Sequence, residues 1–201
     1  MLIQGINNNL SQISKLLLDN KIGVIPTDTI YGISCVAKSK ESVERIYSVK
    51  NRGLDKPFII LINDISQINN FGVSLTKEQS RVLNKIWPER LSVVLDCSEF
   101  PESTKYLHRG GKTLSFRIPK KQSLFDLIKL TGPLVSTSAN ISQAETFSTL
   151  HDIHETFRNK IDFYVDEGAS SFNATTVARM VGNYFEIIRQ GDYIVDPVML
   201  K

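Results

Sequence analysis

Cysteine is scarce in this 201-residue chain, which contains only Cys35 and Cys97. Two cysteines are too few for a disulfide framework, and they lack the Cys-x-x-Cys spacing of zinc sites. Long hydrophobic runs are absent as well, since no window approaches the ~20 apolar residues that cross a bilayer as a helix. The segment Met1–Asn20 has neither the basic start nor the apolar stretch of a signal peptide. We therefore expect a cytoplasmic protein without a membrane segment.

Neither sign of charge is in large excess, because 24 Lys and Arg residues face 21 Asp and Glu residues and the net charge is +3. A charge this small does not by itself indicate a nucleic-acid-binding protein. Hydrophobic residues make up 41% and charged residues 22% of the chain, as in average soluble proteins. This composition excludes disorder and coiled coil for the whole chain. No repeat, linker or change in composition marks a boundary, so we expect one domain over residues 1–201.

The common catalytic signatures are missing too. The segment Gly111–Thr113 looks like the end of a phosphate-binding P-loop, but Tyr106 stands where that motif requires glycine. No Gly-x-Ser-x-Gly segment is present. His151 and His154 have no third ligand beside them in the sequence. We therefore expect neither a Ser–His–Asp triad nor a metal site built from protein side chains.

Strand and helix patterns alternate through most of the chain. Helices are predicted over about Asn8–Asp19, from Ser39 to Gly53, from Thr76 to Trp87, over Ser123–Leu130 and over Leu150–Phe157. Strands are predicted at Ile22–Ile25, Phe58–Ile62, Leu91–Leu95, Thr113–Ile118, Leu134–Thr137, Val177–Val181 and Tyr184–Arg189. The last two strands flank Gly182-Asn183, a two-residue hairpin signal. The pattern predicts an α/β (α+β) fold in which helices flank a mixed, twisted sheet.

Polar side chains alternate with apolar ones at the end of one predicted strand. Within Leu134–Asn140, the period of two places Ser136, Ser138 and, if the strand extends, Asn140 on one side. Open α/β sheets usually bind ligands at the C-terminal ends of their strands. Hydroxyl and carboxamide groups there could bind phosphate or metal-bound water. The alternative is a polar cap for the following turn.

Arg117 lies inside another predicted strand, on the same side as Thr113 and Ser115. A buried guanidinium without a partner is costly, so this arginine requires an anion. That anion is either a carboxylate of the protein itself or a ligand carboxylate bound through two parallel hydrogen bonds.

Two further segments are rich in polar groups. Lys50 and Arg52 close a predicted helix, and unwinding at Gly53 would let them converge with Lys56; a solvated helix end is the alternative. The segment Pro26–Gly32 follows a strand and is dense in hydroxyls, as binding loops often are. The alternative interpretation of this segment is an ordinary turn, in which the Thr and Asp side chains form hydrogen bonds to the local backbone.

Taken together, these segments resemble one known family. Five motifs occur in order, namely Pro26–Gly32, Lys50–Arg52 with Lys56-Pro57, Ser115–Pro119, Ser136–Asn140, and Thr175–Val177 followed by Arg189–Gly191. They resemble the YrdC/TsaC family, the threonylcarbamoyl-AMP synthases that initiate threonylcarbamoyladenosine modification of tRNA. The resemblance covers about Leu10 to Gly191, and because only residues 192–201 follow, it is to the short, single-domain form.

The resemblance implies a YrdC-type fold with substrates on a polar concave face. It implies a nucleotidyltransferase that joins L-threonine, bicarbonate and ATP into threonylcarbamoyl-AMP and releases pyrophosphate, with Mg²⁺ accompanying ATP. Partner proteins would then transfer the threonylcarbamoyl group to tRNA, while weak direct binding of tRNA stays open. By similarity, threonine is held by Thr27, Arg117, Ser136 and Thr175. ATP is held by Lys50, Thr113, Ser138, Asn140, Thr146 and Arg189, and the catalytic pair is Lys50 and Arg52.

The chemistry agrees with this resemblance. Threonine's own amine is the nucleophile, so the site needs charge neutralisation and positioning rather than a protein nucleophile. Departures from the family pattern include Gly53 after the Lys-x-Arg pair and the turn Trp87–Arg90, which could alter a loop near the nucleotide. One alternative is a non-catalytic RNA-binding or ribosome-maturation member. Another is a carbamoyl-transfer domain of hydrogenase maturation, which two lone cysteines disfavour.

Overall fold

The computed structural model describes residues 1–51, 53, 58–96, 101–141, 147, 149–169 and 173–200. Its strands are β1 (Leu2–Gln4), β2 (Gly23–Pro26), β3 (Tyr31–Val36), β4 (Ile59–Leu61), β5 (Leu91–Asp96), β6 (Thr113–Arg117), β7 (Leu134–Ser138), β8 (Phe163–Asp166), β9 (Thr176–Val181) and β10 (Tyr184–Arg189). Its α-helices are α1 (Leu10–Leu18), α2 (Lys40–Lys50), α3 (Lys77–Ile86), α4 (Lys105–His108), α5 (Gln122–Thr131) and α6 (Leu150–Phe157). Short 3-10 helices lie at Asn7–Asn9, Ile65–Phe71, Glu102–Thr104, Arg158–Lys160 and Pro197–Met199.

The strands form one ten-stranded sheet in the order β1-β8-β2-β3-β7-β4-β6-β5-β9-β10. Strand β7 lies at its centre and pairs antiparallel with both β3 and β4. Strand β4 runs parallel to β6, and β5 runs parallel to β9. The sheet is therefore mixed and flanked by helices, as the alternating pattern predicted. No helix in the described ranges is long and apolar enough to span a membrane.

Helices cover the two faces of the sheet unequally. On one face, helices α2, α3 and α6 contribute Val43, Leu83 and Ile153 to the larger apolar core. On the other face, α1 and α5 contribute Leu17 and Leu127 to a smaller core. Beyond α1 and α5, this second face carries the polar side chains of β6 and β7. The uneven cover leaves a concave polar surface between the sheet and its loops.

The helix boundaries follow local capping chemistry. Thr76 and Gln79 form the predicted capping box at the start of α3, and the helix ends at Trp87, immediately before Pro88. Ser39 accepts a hydrogen bond from the backbone of α2, as expected. The end of α2 was predicted too late: the helix ends at Lys50, and its C-cap is Asn51 rather than Gly53, because Asn51 adopts the left-handed conformation with φ of 48°.

Strands β1, β3 and β8 were not predicted from the sequence. Strand β3 was partly assigned to a loop over Pro26–Gly32, whereas the structure pairs Pro26 with Tyr31 and restricts the loop to Thr27–Ile30. Strand β3 does alternate, since the apolar Tyr31, Ile33 and Cys35 face the larger core and Gly32 and Ser34 lie between them. Its first residues were read as part of the loop Pro26–Gly32, and its place between β2 and β7 is fixed by tertiary pairing.

Candidate active site

A cavity of about 480 Å³ lies over the central strands on the polar face. Seven of the residues predicted for substrate binding line it: Thr27, Arg117, Ser136, Ser138, Asn140, Thr175 and Arg189. They come from the loop after β2, from β6, from β7 and its following turn, and from the β9–β10 end of the sheet. The sheet order explains why motifs far apart in the sequence meet here.

Arg117 is the most deeply buried cation of the cavity lining, with 3% of its side chain exposed. Its Nη2 atom lies 3.0 Å from Oδ1 of Asp28, which is itself 6% exposed. Its Nε and Nη1 atoms are buried and have no hydrogen-bond partner among the described residues. Burial lowers the pKa of Arg117, Asp28 opposes that effect, and nearby Arg90 adds to it. The carboxylate of Asp28 is thus in ion-pair contact with one nitrogen of the guanidinium, although its Oδ1 atom has no partner with hydrogen-bond geometry in the described residues, and two donor nitrogens of Arg117 remain for a ligand.

Lys50 binds the residues at the C-terminal end of β7. Its side chain, 1% exposed, donates to the carbonyl oxygen of Ser138 and, over 3.2 Å, to Oδ1 of Asn140. The hydroxyl of Ser138 donates to the same Oδ1 atom at 2.5 Å. Ser138 and Asn140 line the cavity, and Lys50 lies directly behind them. The three side chains therefore form one polar cluster, here called the lysine cluster.

The loop Thr27–Ile30 is fastened by its own hydrogen bonds. The Thr27 hydroxyl donates to the carbonyl of Ile30 at 2.7 Å and accepts from the backbone N–H of Thr29 at 3.1 Å. For Thr27 the ordinary-turn interpretation describes these contacts correctly. Asp28 differs, since its carboxylate contacts Arg117 and the backbone N–H of Lys120 rather than its own loop.

Close backbone approach brings two walls of the cavity together. A Cβ atom on Gly32 would lie 2.5 Å from Oγ of Ser136, so any other residue at this position would force the serine hydroxyl or the strands to shift. A Cβ atom on Gly191 would lie 2.2 Å from the carbonyl oxygen of Ala174. The absence of a side chain at Gly191 thus lets the segment after β10 pack against the segment before β9. Both glycines belong to motifs that were singled out in the sequence.

Arg189 and Thr175 meet at the β9–β10 wall. Nη2 of Arg189 donates to the Thr175 carbonyl at 2.8 Å. The Thr175 hydroxyl accepts from the fully buried Ser92 hydroxyl at 3.3 Å. On the opposite wall, the hydroxyl of Ser34 donates to that of Ser136 at 3.2 Å. Buried serines on neighbouring strands thus orient two hydroxyls that were predicted to bind threonine.

The remaining four predicted residues are Lys50, Thr113, Arg52 and Thr146, and Lys50 lies behind the lining. Thr113 lies at the start of β6, outside the residues that line the cavity. Arg52 and Thr146, like Lys56, lie outside the described residues. Their roles stay predictions.

Several contributors to the cavity were not assigned a role from the sequence. The loop containing Asp28 was read as either a binding loop or an ordinary turn, and Ser115 was placed on the correct face without a role. The Ser115 hydroxyl is buried, lines the cavity and has no hydrogen-bond partner in the described ranges. Val94 and Val177 add an apolar wall. Their alternation along β5 and β9 could have indicated that wall, but no sequence signal connects Asp28 to Arg117.

Comparison with known proteins gives a consistent picture. The profile of the Sua5/YciO/YrdC family, described as telomere recombination, matches residues 15–191. The chain is 27% identical over 184 residues to the threonylcarbamoyl-AMP synthase of Bacillus subtilis, covering 90% of this chain and 53% of that protein. It is 30% identical over 151 residues to the enzyme of the same name from Pyrococcus abyssi, covering 75% of this chain and 44% of that protein. The chain thus spans about half the length of these relatives.

A solved structure extends the likeness to three dimensions. Sua5 of P. abyssi, crystallised with L-threonine, superposes with a TM-score of 0.83 at 26% identity. The match covers 95% of this chain and 57% of that one.

Proposed function

The chain belongs to the Sua5/YciO/YrdC family, and from this we propose that it is an L-threonylcarbamoyladenylate synthase, a nucleotidyltransferase. Its substrates would be L-threonine, bicarbonate and ATP, and its products threonylcarbamoyl-AMP, pyrophosphate and water. The relatives that carry this name and the threonine complex of the P. abyssi protein support the proposal.

The observation that carries the proposal is the state of Arg117. A buried guanidinium with two donor nitrogens lacking partners in the described part of the chain is costly unless a ligand binds there. Charge-assisted pairing between guanidinium and carboxylate is strong and directional, so an amino-acid carboxylate suits these donors. The hydroxyls of Ser136 and Thr175 line the same cavity and could bind the polar groups of threonine.

The reaction itself requires positioning and charge neutralisation. The amine of threonine forms a bond to the carbon of bicarbonate, water is lost, and a carbamate results. A carbamate oxygen then attacks the α-phosphorus of ATP, and pyrophosphate leaves with the bonding electron pair. We propose that Lys50 and Arg189 neutralise the phosphates, with Ser138 and Asn140 as their polar neighbours.

Mg²⁺ would enter with ATP, and we propose that the phosphates are its main ligands. The described residues include no group of three or more His, Cys, Asp or Glu side chains that could hold a metal. Mg²⁺ commonly binds through substrate phosphates with few protein ligands, and the hydroxyl of Ser138 is an oxygen ligand available at the cavity. When bound, the ion would neutralise phosphate charge. Arg52, Thr113 and Thr146 stay proposed contacts of ATP.

The wider assignment follows from the same proposal. One sheet joins the described strands from β1 to β10, which supports a single domain over residues 1–201. We infer a cytoplasmic location, where tRNA-modifying partner proteins would receive the threonylcarbamoyl group. Weak direct binding of tRNA is not required by the cavity chemistry.

Detection of the product tests this function directly. The protein is incubated with ATP, Mg²⁺, L-threonine and isotopically labelled bicarbonate, and the mixture is analysed by mass spectrometry. We expect an adenylate carrying both threonine and the labelled carbon. An adenylate of threonine without that carbon would contradict the proposal.

A further inference from the structure

Asp28 connects two segments that meet at the cavity. Its Oδ1 atom lies 3.0 Å from Nη2 of Arg117, and its Oδ2 atom accepts a hydrogen bond from the backbone N–H of Lys120 at 3.0 Å. The carboxylate therefore bridges the loop after β2 and the segment after β6. Both members of the ion pair are almost fully buried, with exposed side-chain fractions of 6% for Asp28 and 3% for Arg117.

The position of Asp28 is itself fixed. On either side of it, Thr27 and Thr29 are tied together, because the Thr29 N–H donates to the Thr27 hydroxyl at 3.1 Å. The Thr27 hydroxyl in turn donates to the carbonyl of Ile30 at 2.7 Å. The loop is thus closed by its own hydrogen bonds, and the Asp28 side chain is anchored at its far end by Lys120. A carboxylate held in this way can restrict the guanidinium that it contacts.

We propose that Asp28 is a positioning residue, which holds Arg117 so that its donors without a protein partner stay directed into the cavity, where one of them can bind the carboxylate of the amino-acid substrate. This inference rests on the proposed function for the identity of the substrate. The orientation of Arg117 is independent of it. Asp28 itself does not line the cavity, so it acts on the substrate through Arg117.

A purely electrostatic role for Asp28 would have the opposite effect on threonine binding. Asp28 carries a negative charge beside the arginine that is to bind a second carboxylate, so its Coulomb interaction with the substrate is repulsive. If the only role of Asp28 were to neutralise Arg117, removing the negative charge of Asp28 would strengthen threonine binding. If it positions Arg117, removing the charge frees the guanidinium and weakens threonine binding. The two roles therefore predict changes of opposite sign.

The first experiment compares D28N with wild type and with D162N. Asp162 is a matched control, because it also pairs with an arginine, Arg45, and accepts a backbone N–H bond, from Ile22, but none of the three lines the cavity. We expect D28N to raise the KM for L-threonine by about tenfold or more, with kcat and the KM for ATP changed much less. D162N should leave all three unchanged. A D28N enzyme with an unchanged or lower KM for threonine would overturn the proposal.

The variant D28E covers the case in which D28N does not fold. Glutamate keeps the charge but moves the carboxylate by one methylene, so a positioning role again predicts a raised KM for threonine. A D28E enzyme that binds threonine like wild type would show that charge alone matters and would refute positioning.

A second measurement tests the orientation of Arg117 without any substrate. NMR spectra of the arginine side chains, with the Arg117 signals assigned from R117K, report rotation about the Nε–Cζ bond. We expect separate Nη signals for Arg117 in wild type and D162N, and merged signals in D28N. Separate signals in D28N would overturn the proposal even in an active enzyme. If the wild-type enzyme turned over no threonine while D28N merged the signals, the proposed function would fail and the positioning of Arg117 would stand.

Discussion

Arg117 presents a planar set of donors that lysine cannot reproduce. Substituting Arg117→Lys keeps the positive charge beside Asp28 but removes the Nε and Nη1 donors that have no partner in the described part of the chain. Loss of a charge-assisted hydrogen bond costs about 1.5–3 kcal/mol, so we expect kcat/KM for threonine to fall roughly tenfold to hundredfold. Steady-state kinetics with threonine varied measures this. The matched change Arg45→Lys, in the pair with Asp162 outside the cavity, should have little effect.

Lys50 is expected to act on the nucleotide side of the cavity. Substituting Lys50→Ala removes the ammonium that donates to Ser138 and Asn140 and disrupts the lysine cluster. We expect kcat/KM for ATP to fall roughly tenfold to hundredfold. Lys40→Ala, at the exposed start of the same helix, is the control. Equal kinetics for the two variants would remove Lys50 from the active site.

The sequence predicted the position of individual polar residues better than the residues that they contact. Alternation along β7 placed Ser136 and Ser138 on one side correctly, because the period of a strand is fixed by geometry. It also left open whether Arg117 pairs with the protein or with a ligand. The contact with Asp28 could not be predicted, since it depends on how the loop after β2 folds against the segment after β6.

The pairing of β3 with β7 depends on one glycine. A Cβ atom on Gly32 would approach Oγ of Ser136 to 2.5 Å, so Gly32→Ala forces the two strands or the serine to shift. Overpacking of this kind costs about 1–3 kcal/mol, which urea denaturation would measure. Adding Ser136→Ala removes the atom that clashes, and we expect the double variant to regain most of the stability. No recovery in the double variant would show that the strain lies elsewhere.

Elements whose signals lie in a few neighbouring residues were predicted best. The capping box of α3 and the hairpin between β9 and β10 are encoded in this way, and both were confirmed. Strand β3 also has a local signal, because Tyr31, Ile33 and Cys35 alternate with Gly32 and Ser34. That signal was missed because its first two residues were assigned to the polar segment Pro26–Gly32, and the position of the strand between β2 and β7 depends on tertiary pairing.

The whole sheet protects one thiol at its centre. Cys35 lies on β3, is 0% exposed, and burial raises the pKa of its thiol. A buried, protonated thiol is unreactive, so we expect alkylation of Cys35 only when the sheet unfolds. Peptide mass spectrometry across a urea titration should show its modification rising together with the loss of circular dichroism. Rapid alkylation in native buffer would contradict this packing.

The distribution of charge matters more than the net value of +3. Arg117 and Arg189 line one cavity, and Lys50 lies directly behind its wall. Several acidic side chains are engaged in pairs elsewhere, such as Asp162 with Arg45 and Asp96 with Arg179. Asp28 offsets the charge of Arg117, so the positive potential at the cavity comes mainly from Lys50 and Arg189 while the chain as a whole stays nearly neutral.

Threonine-dependent pyrophosphate release tests the central claim most directly. The protein is supplied with ATP, Mg²⁺ and bicarbonate, and pyrophosphate is measured with L-threonine, with L-serine and with neither amino acid. We predict release that requires L-threonine and is weaker with L-serine, because the apolar wall of Val94 and Val177 can contact the threonine methyl group. Release at the same rate without any amino acid, or no release together with tight, salt-dependent RNA binding, would contradict the account.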